Sequence, residues 1–293
     1  MKISGTGSAL PKQVVTNDML AQFLDTSDEW IKTRTGVSSR FVISDEKLED
    51  LAAKAAQKAL EDAGIKAEEL DFIICSNVVN EYITPQLSCI IQGAIGASCP
   101  CIDINCAFAG FIHAVEMAEA FYKAGKVRNV LIVCAEEPTR MTDWSDRRTC
   151  VLFGDGAGAA VLTPGDNIKS VKLSASSATE KLWQYRTLQP TPYITKEEMD
   201  VPLQMKGQDV FKFAVTAASK DITRALNDSQ IEASEVDYYL LHQANIRIIN
   251  AIQNYLEQPA EKFPTNVENH GNSSSSCCPI PLDECNRKGM FKK

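Results

Sequence analysis

Only three histidines occur in 293 residues, so chemistry that needs an imidazole has few places to occur. His242 directly follows the apolar run 236–241, at the kind of strand end where open α/β sheets place ligands. His270 lies in Glu268-Asn269-His270-Gly271-Asn272-Ser273, a polar turn in which Asn272 is suited to cap a following helix. His113 falls inside a helical stretch and reads as a packed or partly exposed side chain. The ten cysteines sit mostly in apolar runs, as Cys75, Cys134 and Cys150 do, where a reduced thiol packs as a small hydrophobe. Cys99-Pro100-Cys101 and Cys277-Cys278 lack the paired spacing of a zinc site, so no metal is expected. Gly154-Asp155-Gly156-Ala157-Gly158-Ala159 is spaced GxGxG rather than GxGxxG and leads into an apolar run without helical period. It reads as a glycine-rich turn or bulge between strands, not as a dinucleotide loop.

These groups need elements to position them. Leu48, Leu51, Ala52, Ala55, Ala59 and Leu60 recur at helical spacing over 46–63, and Gly64 ends the pattern. Phe72-Ile73-Ile74-Cys75 then reads as a strand buried on both faces of a largely parallel sheet. A second helix over 210–226 precedes Ala233-Ser234-Glu235-Val236-Asp237-Tyr238-Tyr239-Leu240-Leu241, which matches the pattern of 67–75 position for position at an offset of 233 − 67 = 166. The same offset sets Cys106 opposite Asn272, each in a cluster of small residues before a predicted helix (105–120 and 273–286). Two copies of one α/β unit are therefore expected, 1–165 and 166–293, with the boundary at Thr163-Pro164-Gly165-Asp166-Asn167. Chance similarity of two common helix–strand units is the alternative.

Composition narrows the partners. Apolar residues are 44% and charged residues 23%, an ordinary globular balance, and 30 basic against 38 acidic residues leave a net charge of −8. That sign argues against nucleic acid and anionic lipid. The start, Met1-Lys2-Ile3-Ser4-Gly5-Thr6-Gly7, has neither a long apolar run nor a cleavage site, so a cytoplasmic protein is expected. Residues 82–102 carry no charge, yet Pro85, Gln86, Ser88, Gln92, Gly93, Gly96, Ser98 and Pro100 interrupt them too often for a membrane span.

Several motifs in one order closely resemble β-ketoacyl-acyl carrier protein synthase III. They are Gly5-Thr6-Gly7; Thr26-Ser27-Asp28-Glu29-Trp30-Ile31 with Arg34-Thr35-Gly36; Ser145-Asp146-Arg147 leading into 153–159; His242-Gln243-Ala244-Asn245-Ile246-Arg247; and His270-Gly271-Asn272. The resemblance implies an α/β, thiolase-like fold, two βαβαβαββ halves in an αβαβα sandwich, usually as a homodimer. It also implies an acyltransferase of fatty-acid biosynthesis that joins an acyl-CoA to malonyl-acyl carrier protein by decarboxylative Claisen condensation. No cofactor is implied beyond the coenzyme A thioester used as substrate. By the motif match His242 and Asn272 bind the malonyl thioester carbonyl and stabilise the enolate formed as carbon dioxide leaves. Trp30 and Arg147 match residues holding the adenine of coenzyme A, Thr26 an adenine contact and Arg34 a phosphate contact. Arg247 and Lys212 match basic residues near the pocket mouth, where the phosphopantetheine arm enters, and Asn245 of the same His242–Arg247 motif is expected among the coenzyme A-binding residues.

The chain departs from the family at three places. The family nucleophile is a Cys at a helix N-terminus, where the dipole and free N–H groups favour thiolate. Here Asp103-Ile104-Asn105-Cys106-Ala107-Phe108-Ala109-Gly110-Phe111 puts Phe108 at that position. Cys106 is the nearest substitute, expected about 6–7 Å away along an extended chain and otherwise a buried small residue. Family members continue past Lys288-Gly289-Met290-Phe291-Lys292-Lys293 with two strands and a glycine-rich turn that gives an oxyanion-hole N–H. Asn254 and Tyr255 stand where lysines commonly meet the acidic carrier protein, which weakens the expected docking. Two functions follow as expectations: a condensing acyltransferase, or a non-condensing homologue that binds acyl-CoA or only decarboxylates malonyl thioesters.

Overall fold

Runs of apolar and small residues without charge on either face pay no desolvation cost when a sheet is covered on both sides, and three such runs, 72–75, 130–135 and 157–162, make the centre of this protein. A computed structural model describes residues 1–186, 192–193 and 201–291. In chain order the elements are β1 (Lys2–Ala9), β2 (Gln13–Thr16), α1 (Asn17–Ala21), α2 (Asp28–Thr35), β3 (Ser39–Val42), α3 (Leu48–Ala63), β4 (Phe72–Ser76), α4 (Leu87–Ile95) and β5 (Cys101–Ile104). They continue with α5 (Gly110–Lys123), β6 (Val130–Glu136), β7 (Gly156–Thr163), β8 (Leu182–Trp183), β9 (Gln204–Met205), α6 (Gly207–Ser229), α7 (Ile246–Leu256), α8 (Val267–His270) and α9 (Pro279–Arg287).

The main sheet has the order β1-β7-β6-β4-β5. β4 pairs in parallel with β5 and β6, whereas β7 runs antiparallel to β6 and β1. One face packs on α3 and α4 through Ile73, Leu131, Val133, Ala159 and Val161. The other packs on α5 and α9 through Ile74, Ile132, Ala160 and Leu162. The glycine-rich run is part of β7: a Cβ at Gly158 would lie 2.8 Å from Pro279 Cγ and the Ile280 backbone nitrogen, so the glycine lets α9 approach the strand. α9 is also tied to β1, because the Asp283 carboxylate accepts from Thr6 Oγ1 (2.8 Å) and Ser8 Oγ (2.7 Å).

Local structure repeats at the 166-residue offset. α3 and α6 end at Ala63 and Ser229 and are closed by left-handed residues, Gly64 and Gln230. Ile65 N donates to Leu60 O, and Ile231 N to Leu226 O, both at 3.1 Å. The turns Ala67–Glu69 and Ala233–Glu235 each place a glutamate carboxylate on the backbone N–H three residues earlier, both at 2.8 Å.

The expected strand at 236–241 is corrected: it makes no ladder. One bond remains, Tyr239 N to Lys262 O at 2.7 Å, the counterpart of Ile73 N to Pro100 O between β4 and β5. β4, by contrast, pairs on both sides, with β5 and with β6. Helix boundaries also differ from expectation. The stretch read as a helix over 105–120 begins with a 3-10 turn at Ala107–Ala109 before α5, and 273–286 divides into a 3-10 turn at Ser274–Cys277 and α9.

Candidate active site

Strand β5 delivers the chain to a turn at the N-terminus of α5. Ala107 has φ of 45°, a left-handed conformation unusual for alanine, and Ala109 N closes onto Cys106 O at 3.1 Å. The path from 106 to 108 is thus a tight turn and not the extended run expected from the sequence. Phe108 follows, half-buried, with its ring centroid 5.5 Å from that of His242 and the planes at 57°. Cys106 is half-buried too, and burial pushes its thiol up, away from the thiolate a nucleophile requires. The residue beside His242 is therefore an aromatic ring that cannot form a thioester.

His242 and Asn272 approach from the second half. His242 Nδ1 is out of contact with solvent and without a hydrogen-bond partner among the described residues. Burial lowers the imidazole to about 4, so it is neutral at physiological pH and can donate one N–H to a developing oxyanion. Asn272 is buried and fixed in β7's approach: its N–H donates to Leu152 O (2.8 Å), its C=O accepts from Gly154 N (3.1 Å), and its Oδ1 accepts from Ser274 N (3.0 Å). Gly154 belongs here for a steric reason, since a Cβ would lie 2.1 Å from His270 O. Asn272 does not simply cap α9; it is stitched to the first half.

The adenine-type cluster also assembles. Ser27 caps α2, which carries Trp30 and Arg34 on one side. The Arg34 guanidinium lies 4.4 Å from the Trp30 ring centroid and that of Arg147 4.9 Å away. Arg147 is latched to Asp25, with Nη1 on the Asp25 backbone oxygen and 3.2 Å from its carboxylate. Thr26 Oγ1 is buried without a partner among the described residues. Asn245 caps α7, accepting from Arg247 N at 2.8 Å, and its amide donates to Arg34 O at 3.1 Å, which joins α7 to the Trp30 cluster. Arg247 is exposed on α7, and Lys212 is exposed on α6, which packs against α7. Asn254 and Tyr255 are exposed in the last turn of α7.

Two histidines lie outside this centre. His113 Nδ1 meets Ala109 O at 3.0 Å on α5. His270, which reads as a loop residue, ends α8 and pairs with Glu284 of α9, Nε2 to Oε1 at 2.8 Å. Among the described residues no cluster of three His, Cys, Asp or Glu side chains could hold a metal, and no helix is long and apolar enough to cross a membrane. One buried carboxylate beside the centre carried no expectation: Glu136, at the end of β6. Its only sequence signal is an acidic residue closing the apolar run 130–135.

A mixed five-stranded sheet between two helical layers, with His242 against Phe108 and the turn that follows Asn272 packed on the start of α5, fits the thiolase-like class of condensing enzymes. Comparison with known proteins carries this to the family. Residues 102–179 match the model of 3-oxoacyl-[acyl-carrier-protein] synthase III, and 226–293 match its C-terminal domain. The β-ketoacyl-[acyl-carrier-protein] synthase III of Clostridium acetobutylicum is 40% identical over 298 residues, covering 100% of this chain and 92% of the relative. The crystal structure of the synthase III from Aquifex aeolicus superposes with a TM-score of 0.92 at 38% identity, over 99% of this chain and 92% of that one. That of Thermus thermophilus gives 0.92 at 33% identity, over 100% and 92%. The chain belongs to the 3-oxoacyl-[acyl-carrier-protein] synthase III family.

Proposed function

We propose that this chain is a synthase III-type acyltransferase site that binds acyl-CoA and malonyl thioesters, in which Phe108 blocks the first half-reaction, self-acylation. The observation that carries this is the 5.5 Å pairing of the Phe108 and His242 rings. The family reaction needs a thiol at that position to take the acyl group from coenzyme A. Decarboxylation needs none. A malonyl thioester whose carbonyl oxygen accepts from His242 and Asn272 loses carbon dioxide as the C–C bond electrons move into the enolate, and the enolate then takes a proton to give the acetyl thioester. Neutral His242 suits this role, because a donor that carries no charge itself can remain desolvated.

Trp30, Arg34, Arg147 and Thr26 support a coenzyme A reading: an indole face and guanidinium groups suit an adenine ring and phosphates. An aromatic ring held between Trp30 and Arg147 needs two stacking contacts, about 7 Å in all. The observed 4.9 Å means that the Arg147 side chain itself fills the place and must swing from Asp25 when adenine enters. Asn245, Arg247 and Lys212 extend the same reading to the pantetheine arm. Acyl carrier protein is the second partner, docking weakened at Asn254 and Tyr255. Residues 1–165 and 166–293 are taken as two copies of one unit. Among the described residues β5 has a neighbour on one edge only, which supports a homodimer formed by a second copy at that edge. Incubation with acetyl-CoA tests the blocked half-reaction. Intact mass should stay at that of the free chain, and an acetyl adduct mapped to Cys106 would overturn the assignment.

A further inference from the structure

The carboxylate of Glu136 receives three hydrogen bonds from two separate segments. Ser275 Oγ donates to Oε1 at 2.6 Å and Ser274 Oγ at 3.2 Å, both from the 3-10 turn that follows Asn272. Val78 N, just past β4, donates to Oε2 at 3.1 Å. The chain of bonds continues, because Ser76 Oγ donates to Ser275 Oγ at 3.0 Å. Ser76 in turn lies against the start of α5: a Cβ on Gly110 would come within 1.8 Å of its Oγ, and Gly110 is two residues from Phe108. Glu136, Ser275 and Ser76 thus form a buried line beneath the turn at 107–110, and Ser274 N fixes Asn272 Oδ1 at the other end.

We infer that Glu136 is a positioning residue of this site, which sets the orientation of Asn272 by fixing the serine turn 274–275 to strands β4 and β6. This rests on the reading of Asn272 as an enolate-stabilising group. The three donors define what the carboxylate does. An ionised carboxylate accepts from all of them, whereas a protonated one must donate once, which reverses the Ser275 bond and weakens the grip on the turn. Glutamine has the same shape but only one acceptor oxygen: its NH2 either faces Val78 N–H, donor against donor, or donates to the serine hydroxyls and reverses their bonds as the protonated acid does.

Burial raises Glu136 to about 7, against hydrogen bonds from Ser275, Val78 and Ser274 that lower it. The titratable groups facing it are Cys75 of β4, Cys134 of β6 and Cys277 of the serine turn. Burial raises all three thiols above their usual range, so they are neutral where Glu136 titrates. No ion pair reaches Glu136 among the described residues. His242, lowered to about 4, titrates well below it. An acid limb near neutrality therefore excludes the imidazole, and its loss in Glu136→Gln separates Glu136 from buried Asp155, which is raised to about 6.

The test compares the wild type with Glu136→Gln in malonyl-CoA decarboxylation from pH 5 to 9. The wild-type kcat should fall on the acid side of a midpoint near 7, and the variant should show at least a tenfold lower kcat, KM within about twofold, and no such limb. An unchanged kcat with the limb retained overturns the inference. The side-chain amide of Asn272, identified by its loss in Asn272→Asp, supplies a second readout by NMR. It should shift with a midpoint near 7 in the wild type and stay fixed in Glu136→Gln. If the wild type does not decarboxylate, the functional reading fails while this amide titration still decides the positioning role. If the variant does not fold, the wild-type titration decides alone, and a static Asn272 amide across the range overturns it.

Discussion

Phe108 is the residue on which the proposed chemistry turns, and substitution there separates loss of the thiol from loss of the site. Phe108→Cys should become acetylated by acetyl-CoA, gaining one acetyl mass at residue 108, because the turn at 107–109 and the N-terminus of α5 that favour a thiolate are in place. Failure of the folded variant to acylate would mean that the turn does not present residue 108 to the thioester. Trp30→Ala should weaken coenzyme A binding about tenfold to a hundredfold in calorimetric titration, as loss of a stacked base contributes about 1–3 kcal/mol. Equal affinity would return Trp30 to a packing role. His242 also leaves a signature in stability. Its folded value of about 4 lies below the ordinary 6.5, so between those pH values the unfolded chain binds the extra proton and stability rises with pH. Glu136 and Asp155, raised by burial to about 7 and about 6, act with the opposite sign. Urea unfolding at several pH values isolates the imidazole. The stability of wild type minus that of His242→Asn should rise by about 3 kcal/mol from pH 4 to 6.5, and parallel curves would show that the imidazole is solvated.

At the scale of elements, α4 and β5 set the path into the nucleophile turn. The Asp103 carboxylate accepts from Leu87 N and Ser88 N, both at 2.8 Å, and so caps α4 from the neighbouring strand where Gln86 offers no side-chain cap. Asp103→Ala should destabilise the protein by about 1–2 kcal/mol in denaturant midpoint, with no change if water replaces the cap. The elements legible in the sequence were those specified by short-range pattern. The helical spacing from Leu48 to Leu60 gives α3 to within two residues of its start, and the unbroken apolar run at Phe72 gives β4. Tyr238–Leu241 has the same pattern and makes no ladder, because pairing depends on neighbours that pattern does not encode. Motif matching proposes Trp30, Arg147, His242 and Asn272, and the fold sets Arg147 over Trp30 and Phe108 against His242. It missed Glu136 and the His270–Glu284 pair, whose roles arise from burial and long-range contact alone.

Across the whole molecule, the site is a junction between segments far apart in sequence. Residues 106–110 come from the first half, His242 and the 272–275 turn from the second, and β7's approach bonds Asn272 to Leu152 and Gly154. On the proposed reading, the acyl-accepting position and the oxyanion donors come from different segments, so one can change without the other. The measurement that addresses this most directly follows carbon-labelled malonyl-CoA with the intact protein, recording labelled carbon dioxide and protein mass together. Expected is slow release of carbon dioxide with formation of acetyl-CoA, no acyl adduct on the chain, and abolition of release in His242→Ala. A stable acyl adduct on the unmodified chain, or a folded protein that releases no carbon dioxide, would contradict a site that keeps its enolate-stabilising pair without its nucleophile.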